Sequence, residues 1–259
     1  MSERTIGSLF AGIGGLEKGL ERAGLGRVVF QVEIEPFCRS VLAKHWPNVN
    51  RSVCDVRQAN AKTLPRVDVL CGGAPCTDLS VAGKQRGLDG EHSGLWYEYA
   101  RIVHELRPDI VVVENVAHGR GKWLPYVRGH LQALGYRSST HVLSCGDLGA
   151  PHERRRCFVT AYSDRVTLRK RTERVPGRWS RSVRRERQGL DVDASASWQP
   201  AGASAWRAFP ALPRVDDGFP AGLGRDVRDQ ERALGNAVSP QVAELVGRIA
   251  RWEMGEIDE

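Results

Sequence analysis

The chain has 259 residues, 41% of them hydrophobic, and 38 basic against 31 acidic side chains give a formal net charge of +7, which suits a polyanionic partner without naming one. Its six cysteines include no pair at Cys-x-x-Cys spacing, which argues against a zinc knuckle or a disulfide scaffold, and no metal site is expected. No stretch approaches the roughly 18 apolar residues of a membrane span, and the N-terminus lacks the apolar core of a signal peptide, so the expectation is a reducing cytoplasm, where a free reactive thiol persists.

Residues 1–162 alternate strand and helix signals. Ile6 to Leu9 reads as a strand, Phe10-Ala11-Gly12-Ile13-Gly14-Gly15 as a turn, and Leu16 to Ala23 as a helix. Val28 to Val32 is a second strand reaching Glu33. A helix follows from Pro36, with proline at its first position, to His45. A short third strand is expected to end near Asp55. Val67 to Leu70 comes next and leads into the loop carrying Pro75-Cys76. Leu95, Tyr99, Ile102, Val103 and Leu106 share a helical spacing. Ile110 to Val113 runs into Glu114, a helix spans Leu124 to Leu134, and strands lie around Val142 and over Phe158–Ala161. Short β-branched or leucine-rich runs bounded by Gly, Pro or polar residues are how strands buried on both faces read. Their alternation with helices indicates an α/β fold with a doubly wound, mostly parallel sheet.

Periodicity stops after Tyr162. Residues 163–231 open on a dense run of arginines and continue in Pro, Gly, Ala and Trp, the composition of a small irregular insertion. Regularity returns over 232–259. There Ala233 to Pro240 precedes a helix with Val242, Leu245, Val246, Ile249 and Trp252 on one face.

Chemistry-bearing residues collect at the predicted strand ends, where ligands of open α/β sheets bind. The glycine turn would let backbone approach a ligand, Glu33 is placed for ribose hydroxyls, and Asp55 for an adenine amine. These three features fit a nucleoside cofactor, and nicotinamide adenine dinucleotide fits almost as well as S-adenosylmethionine. Cys76 breaks that tie. It sits in the polar loop Gly72–Ser80, followed by the glycine-rich stretch Gly83–Gly90, the profile of a thiol nucleophile under a mobile lid. Glu114 ends the most hydrophobic run, where a carboxylate is costly unless it has a partner; it reads as a proton donor or acceptor. In Arg154-Arg155-Arg156, alternation puts the outer two on one face and Arg155 on the other.

Together these pieces resemble the DNA (cytosine-5) methyltransferase family, in its compact phage or restriction-modification form. The matching motifs, in the family's order, are Phe10–Gly15, Glu33, Asp55, Pro75-Cys76 with Ser80, Glu114-Asn115-Val116, Arg154-x-Arg156 and Gly235-Asn236-Ala237-Val238-x-Pro240. The resemblance implies methyl transfer from S-adenosylmethionine to C5 of a cytosine flipped out of duplex DNA, in a bacterial or phage-infected cell. It gives catalytic roles to Cys76, Glu114, Arg154 and Arg156, with Arg156 holding the base oxygen and Arg154 orienting Glu114 or a phosphate. It implies a cofactor site of Phe10, Ala11, Gly12, Ile13, Gly14, Gly15, Glu33, Ile34, Asp55, Val56, Pro75, Leu95, Asn236, Ala237 and Val238. Phe10 would lie against the adenine. DNA contacts are expected from Ser80, Lys84, Gln85 and Arg86 and from Arg184, Arg185 and Arg187. On this reading 1–162 is the catalytic and cofactor-binding domain, 163–231 recognises the target, and 232–259 returns to the catalytic domain. A monomer is expected, with a cognate restriction endonuclease as candidate partner. Two positions depart from the family pattern: Thr77 follows the cysteine and His152 precedes the arginines, where glutamine is usual. The alternatives are the tRNA-methylating branch of the family, a catalytically silent DNA-binding homologue and, last, a nicotinamide-dependent oxidoreductase, in which Cys76 and the arginine pair lack roles.

Overall fold

The computed structural model describes residues 3–74, 94–148, 153–168, 232–233 and 235–257. Its strands are β1 (Thr5–Leu9), β2 (Arg27–Val32), β3 (Val69–Gly72), β4 (Ile110–Val116), β5 (Arg137–Leu143) and β6 (Arg156–Tyr162). They form one sheet in the order β2-β1-β3-β4-β6-β5. β2, β1, β3 and β4 pair in parallel, while β6 runs antiparallel to both of its neighbours. The sheet is therefore mostly parallel, with one reversed strand set between β4 and β5.

The helices are α1 (Gly15–Arg22), α2 (Pro36–His45), α3 (Gly94–Leu106), α4 (Arg120–Ala133) and α5 (Pro240–Glu253). Alternation along β4 sends Val111 and Val113 to one face, among Tyr99, Ile102 and Val103 of α3 and Trp123 and Val127 of α4. Ile110 and Val112 point to the other, among Leu16 and Leu20 of α1 and Val242, Val246 and Ile249 of α5. Helices cover both faces, as a doubly wound sheet requires. All five apolar positions predicted for the last helix are buried.

The α1–α5 contact depends on glycine. A Cβ at Gly15 would lie 2.0 Å from the Val238 carbonyl oxygen, and one at Gly19 would lie 2.3 Å from Ala243 Cβ. The returning segment is thus laid directly on the end of the glycine turn. Arg232 adds an ion pair to Glu35 at 3.1 Å.

Two expectations need correction. No strand forms before Asp55: the segment makes a single bridge, Phe30 to Asn50, and then a one-turn 3-10 helix at Val56–Gln58 that Asp55 caps. β4 also runs on to Val116, so Glu114 lies two residues inside the strand, paired with Phe158 of β6. Among the described residues no helix is long and apolar enough to cross a membrane.

Candidate active site

The glycine turn is held by the residue expected to meet ribose. Glu33 is nearly buried. Its Oε2 accepts the Gly12 N–H at 2.7 Å and its Oε1 accepts the Glu35 N–H at 2.8 Å. The carboxylate spans the ends of β1 and β2 and keeps unused lone pairs. Phe10 holds a left-handed backbone, φ 54°, which a side chain rarely adopts. Its ring lies nearly parallel to Tyr99, with centroids 6.5 Å apart. Tyr99 is itself fixed by its hydroxyl, whose single proton is shared between the Leu70 and Val112 carbonyls at 3.4 and 3.2 Å. The space where a Gly12 Cβ would stand is open, and Ile34 beside Glu33 is 55% exposed. An aromatic ring, an exposed aliphatic side chain, a carboxylate and an open glycine backbone fit a nucleoside.

Asp55 is placed differently from expectation. Its carboxylate is engaged by its neighbour Arg57, at 2.6 Å to Oδ2, and accepts the Arg57 backbone N–H at 2.9 Å on Oδ1. The Arg57 guanidinium holds it below the usual carboxylate range. An adenine amine would have to share it with Arg57. Val56 is buried, while Leu95 is half-buried and packs on the same core as Phe10.

Glu114 projects toward the α1 and α5 face. Its Oε1 meets Arg156 Nε at 2.9 Å, a diagonal cross-strand pair, since Arg156 is in register with Val116. Burial pushes the Glu114 carboxyl up to about 7, against the pull of Arg156 and Arg154. Near neutrality it is divided between acid and anion, so it can give a proton and take one back. Its other oxygen rests on bare backbone, where a Cβ at Gly73 would come within 2.6 Å of Oε2. Asn115, on the opposite face, donates from Nδ2 to the Ala74 carbonyl at 3.2 Å and accepts the Val116 N–H at 2.7 Å. β4 therefore braces the chain immediately before Pro75-Cys76.

Arg154 acts on Glu114 through charge, not through a hydrogen bond. Its guanidinium donates to the Gly235 carbonyl at 2.7 Å and to the Ala237 carbonyl, through Nε, at 3.1 Å. It ties the returning segment, with exposed Asn236 and buried Val238, to the start of β6. Arg155 faces solvent with Glu153, 3.1 Å away, as alternation predicts. Pro75, Cys76, Thr77, Ser80, Lys84, Gln85, Arg86, His152, Arg184, Arg185 and Arg187 lie outside the described residues.

The family model for C-5 cytosine-specific DNA methylases matches residues 4–185. The chain belongs to this family. As a C-5 cytosine-specific DNA methylase family member it is 32% identical over 164 residues to the type II methyltransferase M.HhaI of Haemophilus parahaemolyticus, a match covering 62% of this chain and 49% of that protein. It is 34% identical over 164 residues to M2.BsuMI of Bacillus subtilis, covering 60% and 41%. The family member thus spans half or less of these relatives' length. Its fold is shared by the Entamoeba histolytica methyltransferase EhMeth, with TM-score 0.65 at 14% identity over the whole of both chains.

Sequence reading missed two supports of this site. Tyr99 was read as a core position of α3, yet it underlies Phe10. Gly73 gives room to Glu114, and the signal was present in the Gly72-Gly73 pair just before Pro75-Cys76.

Proposed function

We propose that this protein transfers a methyl group from S-adenosylmethionine to C5 of a cytosine flipped out of duplex DNA, through a bond between Cys76 and C6. The observation that carries the reading is Glu114: a buried carboxyl poised near neutrality, paired with Arg156 and braced on the backbone that leads to Cys76.

Cytosine C5 is too weak a nucleophile to take a methyl group directly, and its ring is inaccessible inside a duplex. The Cys76 thiolate attacks C6 and forms the C–S bond. The ring becomes an enamine as Glu114 gives its proton to N3, while Arg156 holds the base oxygen. When bound, S-adenosylmethionine supplies the electrophilic methyl group that C5 takes up. A base, in the simplest case water, then removes the C5 proton. The C5–C6 double bond re-forms, the C–S bond breaks with its electron pair on sulfur, and the N3 proton returns to Glu114. Phe10, Ile34, Glu33 and the Gly12–Gly15 backbone would hold the cofactor's nucleoside, with Leu95 and Val238 at its margins. Residues 163–231 would read the target, the protein would act as a monomer in the cytoplasm, and a restriction endonuclease would be its partner.

The test is methyl incorporation into duplex DNA and into tRNA by the wild type and by Cys76→Ala. Activity on DNA that Cys76→Ala abolishes is expected, as is a denaturation-resistant adduct with duplex DNA carrying 5-fluorocytosine at the target. Methylation of tRNA alone moves the protein to the other branch. Cofactor and DNA binding without turnover makes it a silent homologue.

A further inference from the structure

We propose that Glu17, in its protonated form, acts as a positioning residue for the glycine turn, so that cofactor affinity falls in alkaline solution. The inference rests on the cofactor reading of Phe10–Gly15. Glu17 stands two residues beyond that turn, in the first turn of α1, and is 0% exposed. It faces a polar row built by strand register. Gln31 of β2 pairs with Ser8 of β1, and Ser8 pairs with Cys71 of β3. All three are buried. Both Glu17 carboxyl oxygens, Ser8 Oγ and Gln31 Nε2 are buried without a hydrogen bond of ordinary geometry. The far end of the Gln31 amide is fixed, because its Oε1 accepts Arg51 Nη1 at 2.9 Å. That fixes Nε2 as the end left over.

Among the described residues no cation pairs with Glu17, so an anion in this nest would be buried on hydrogen bonds alone. Ser8 and Gln31 draw the carboxyl down, but burial dominates and Glu21, an anion on the same helix, adds to it, leaving Glu17 at about 7. The Glu21 oxygens are engaged by the Val28 N–H and Trp46 Nε1. The Cys71 thiol is pushed upward by the same burial and stays protonated. α5, packed on α1, brings Glu244 and Arg248, joined to each other at 3.2 Å. A neutral acid suits the nest, because its O–H can donate to Ser8 Oγ while its carbonyl oxygen accepts from Gln31 Nε2.

Loss of that proton would be felt at the turn. Gly14 caps α1 in a left-handed conformation without side-chain support. Gly15 is pressed on Val238, and Gly12 is bonded to Glu33. A helix start that shifts to hydrate an ionised Glu17 must carry these contacts with it. The raised position means that the supporting form is present in acid and lost as pH rises through about 7.

The experiment is calorimetric binding of S-adenosylmethionine to the full chain, without DNA, between pH 6.5 and 8.5. Wild-type affinity should fall between pH 6.5 and 8.5, by at most about tenfold per unit above the titration. Glu17→Gln, a neutral isostere, should bind as the wild type does at pH 6.5 and lose this dependence. The ligand amine titrates equally in both proteins and cancels in the comparison. Glu17→Met, neutral and of similar length, is the second variant should the amide fail to fold, and it should share the flat profile. Parallel profiles in wild type and variant would overturn the proposal. Absence of binding by the wild type at pH 6.5 would instead overturn the cofactor reading on which it rests.

Discussion

Glu33 and Glu114 stand near the carboxyl ends of two parallel strands of one sheet and are almost equally buried, at 8% and 7% exposure, yet their surroundings give them different work. Glu33 is gripped by two backbone N–H groups whose positions the fold fixes. Glu114 has one side-chain cation on one oxygen and the bare Cα of Gly73 near the other. Backbone donors turn a carboxylate into a strut, because the chain itself holds them in place. One bonded guanidinium and a second beyond it leave burial dominant, and the carboxyl can exchange a proton.

The sharpest way to break the comparison is Glu114→Gln. Turnover should fall on the order of 10²–10⁴-fold, as for loss of a positioned acid, with cofactor affinity unchanged in a binding assay. If cofactor binding collapses, Glu114 is also a strut. Because its carboxyl is raised to about 7, the acid form is present below that pH and is lost as pH rises through it. At saturating cofactor, the alkaline limb of kcat/KM for DNA should therefore decline around pH 7 in the wild type, and that decline should be absent from the residual activity of Glu114→Gln.

Gly73→Ala comes next. Its methyl group must displace a carboxylate oxygen now 2.6 Å away, and a misplacement of about 1 Å is expected to cost up to about 10²-fold in turnover. A crystal structure of the variant with Glu114 unmoved and the rate intact would remove Gly73 from the site. Glu33→Ala should show the reverse pattern. Loss of charge-assisted hydrogen bonds of about 1.5–3 kcal/mol should weaken cofactor binding by roughly ten- to 150-fold, with chemistry at saturation less affected. The smallest effect is expected outside the pair. Neutralising Arg184, Arg185 and Arg187 together should reduce the slope of log affinity against log salt by about 0.9 per lost phosphate contact and leave the methylated site the same. A changed target would mean that these arginines read bases.

Much of this frame was legible because buried strands and amphipathic helices write themselves as apolar runs. Val28–Val32, Ile110–Val113 and the face from Val242 to Trp252 all became the elements they suggested. Strand direction was not legible, since Cys157–Ala161 reads the same whichever way β6 runs. The supposed strand before Asp55 failed for a local reason. Pro47, Asn48 and Asn50 interrupt it, and the Asp55 side chain stabilises a turn by capping its own neighbour. Catalytic residue types were visible in sequence, but their partners were not. Glu114 could be singled out as costly, whereas its neighbours Gly73 and Arg156 come from distant parts of the chain. Arg154 belonged to a visible motif, yet its binding to the Gly235 and Ala237 carbonyls depends on a segment more than eighty residues away.

The glycine-lined seat for α5 on α1 has a consequence for how the protein comes to be made. One face of the sheet, with Ile110, Val112 and Phe158, is completed by Val242, Val246 and Ile249, which leave the ribosome long after β6. Until then that face is only partly roofed by α1, and closing it requires joining segments far apart in the chain, a slow kind of contact. Nascent chains halted before Pro240 should therefore expose a sticky apolar surface and depend on chaperones.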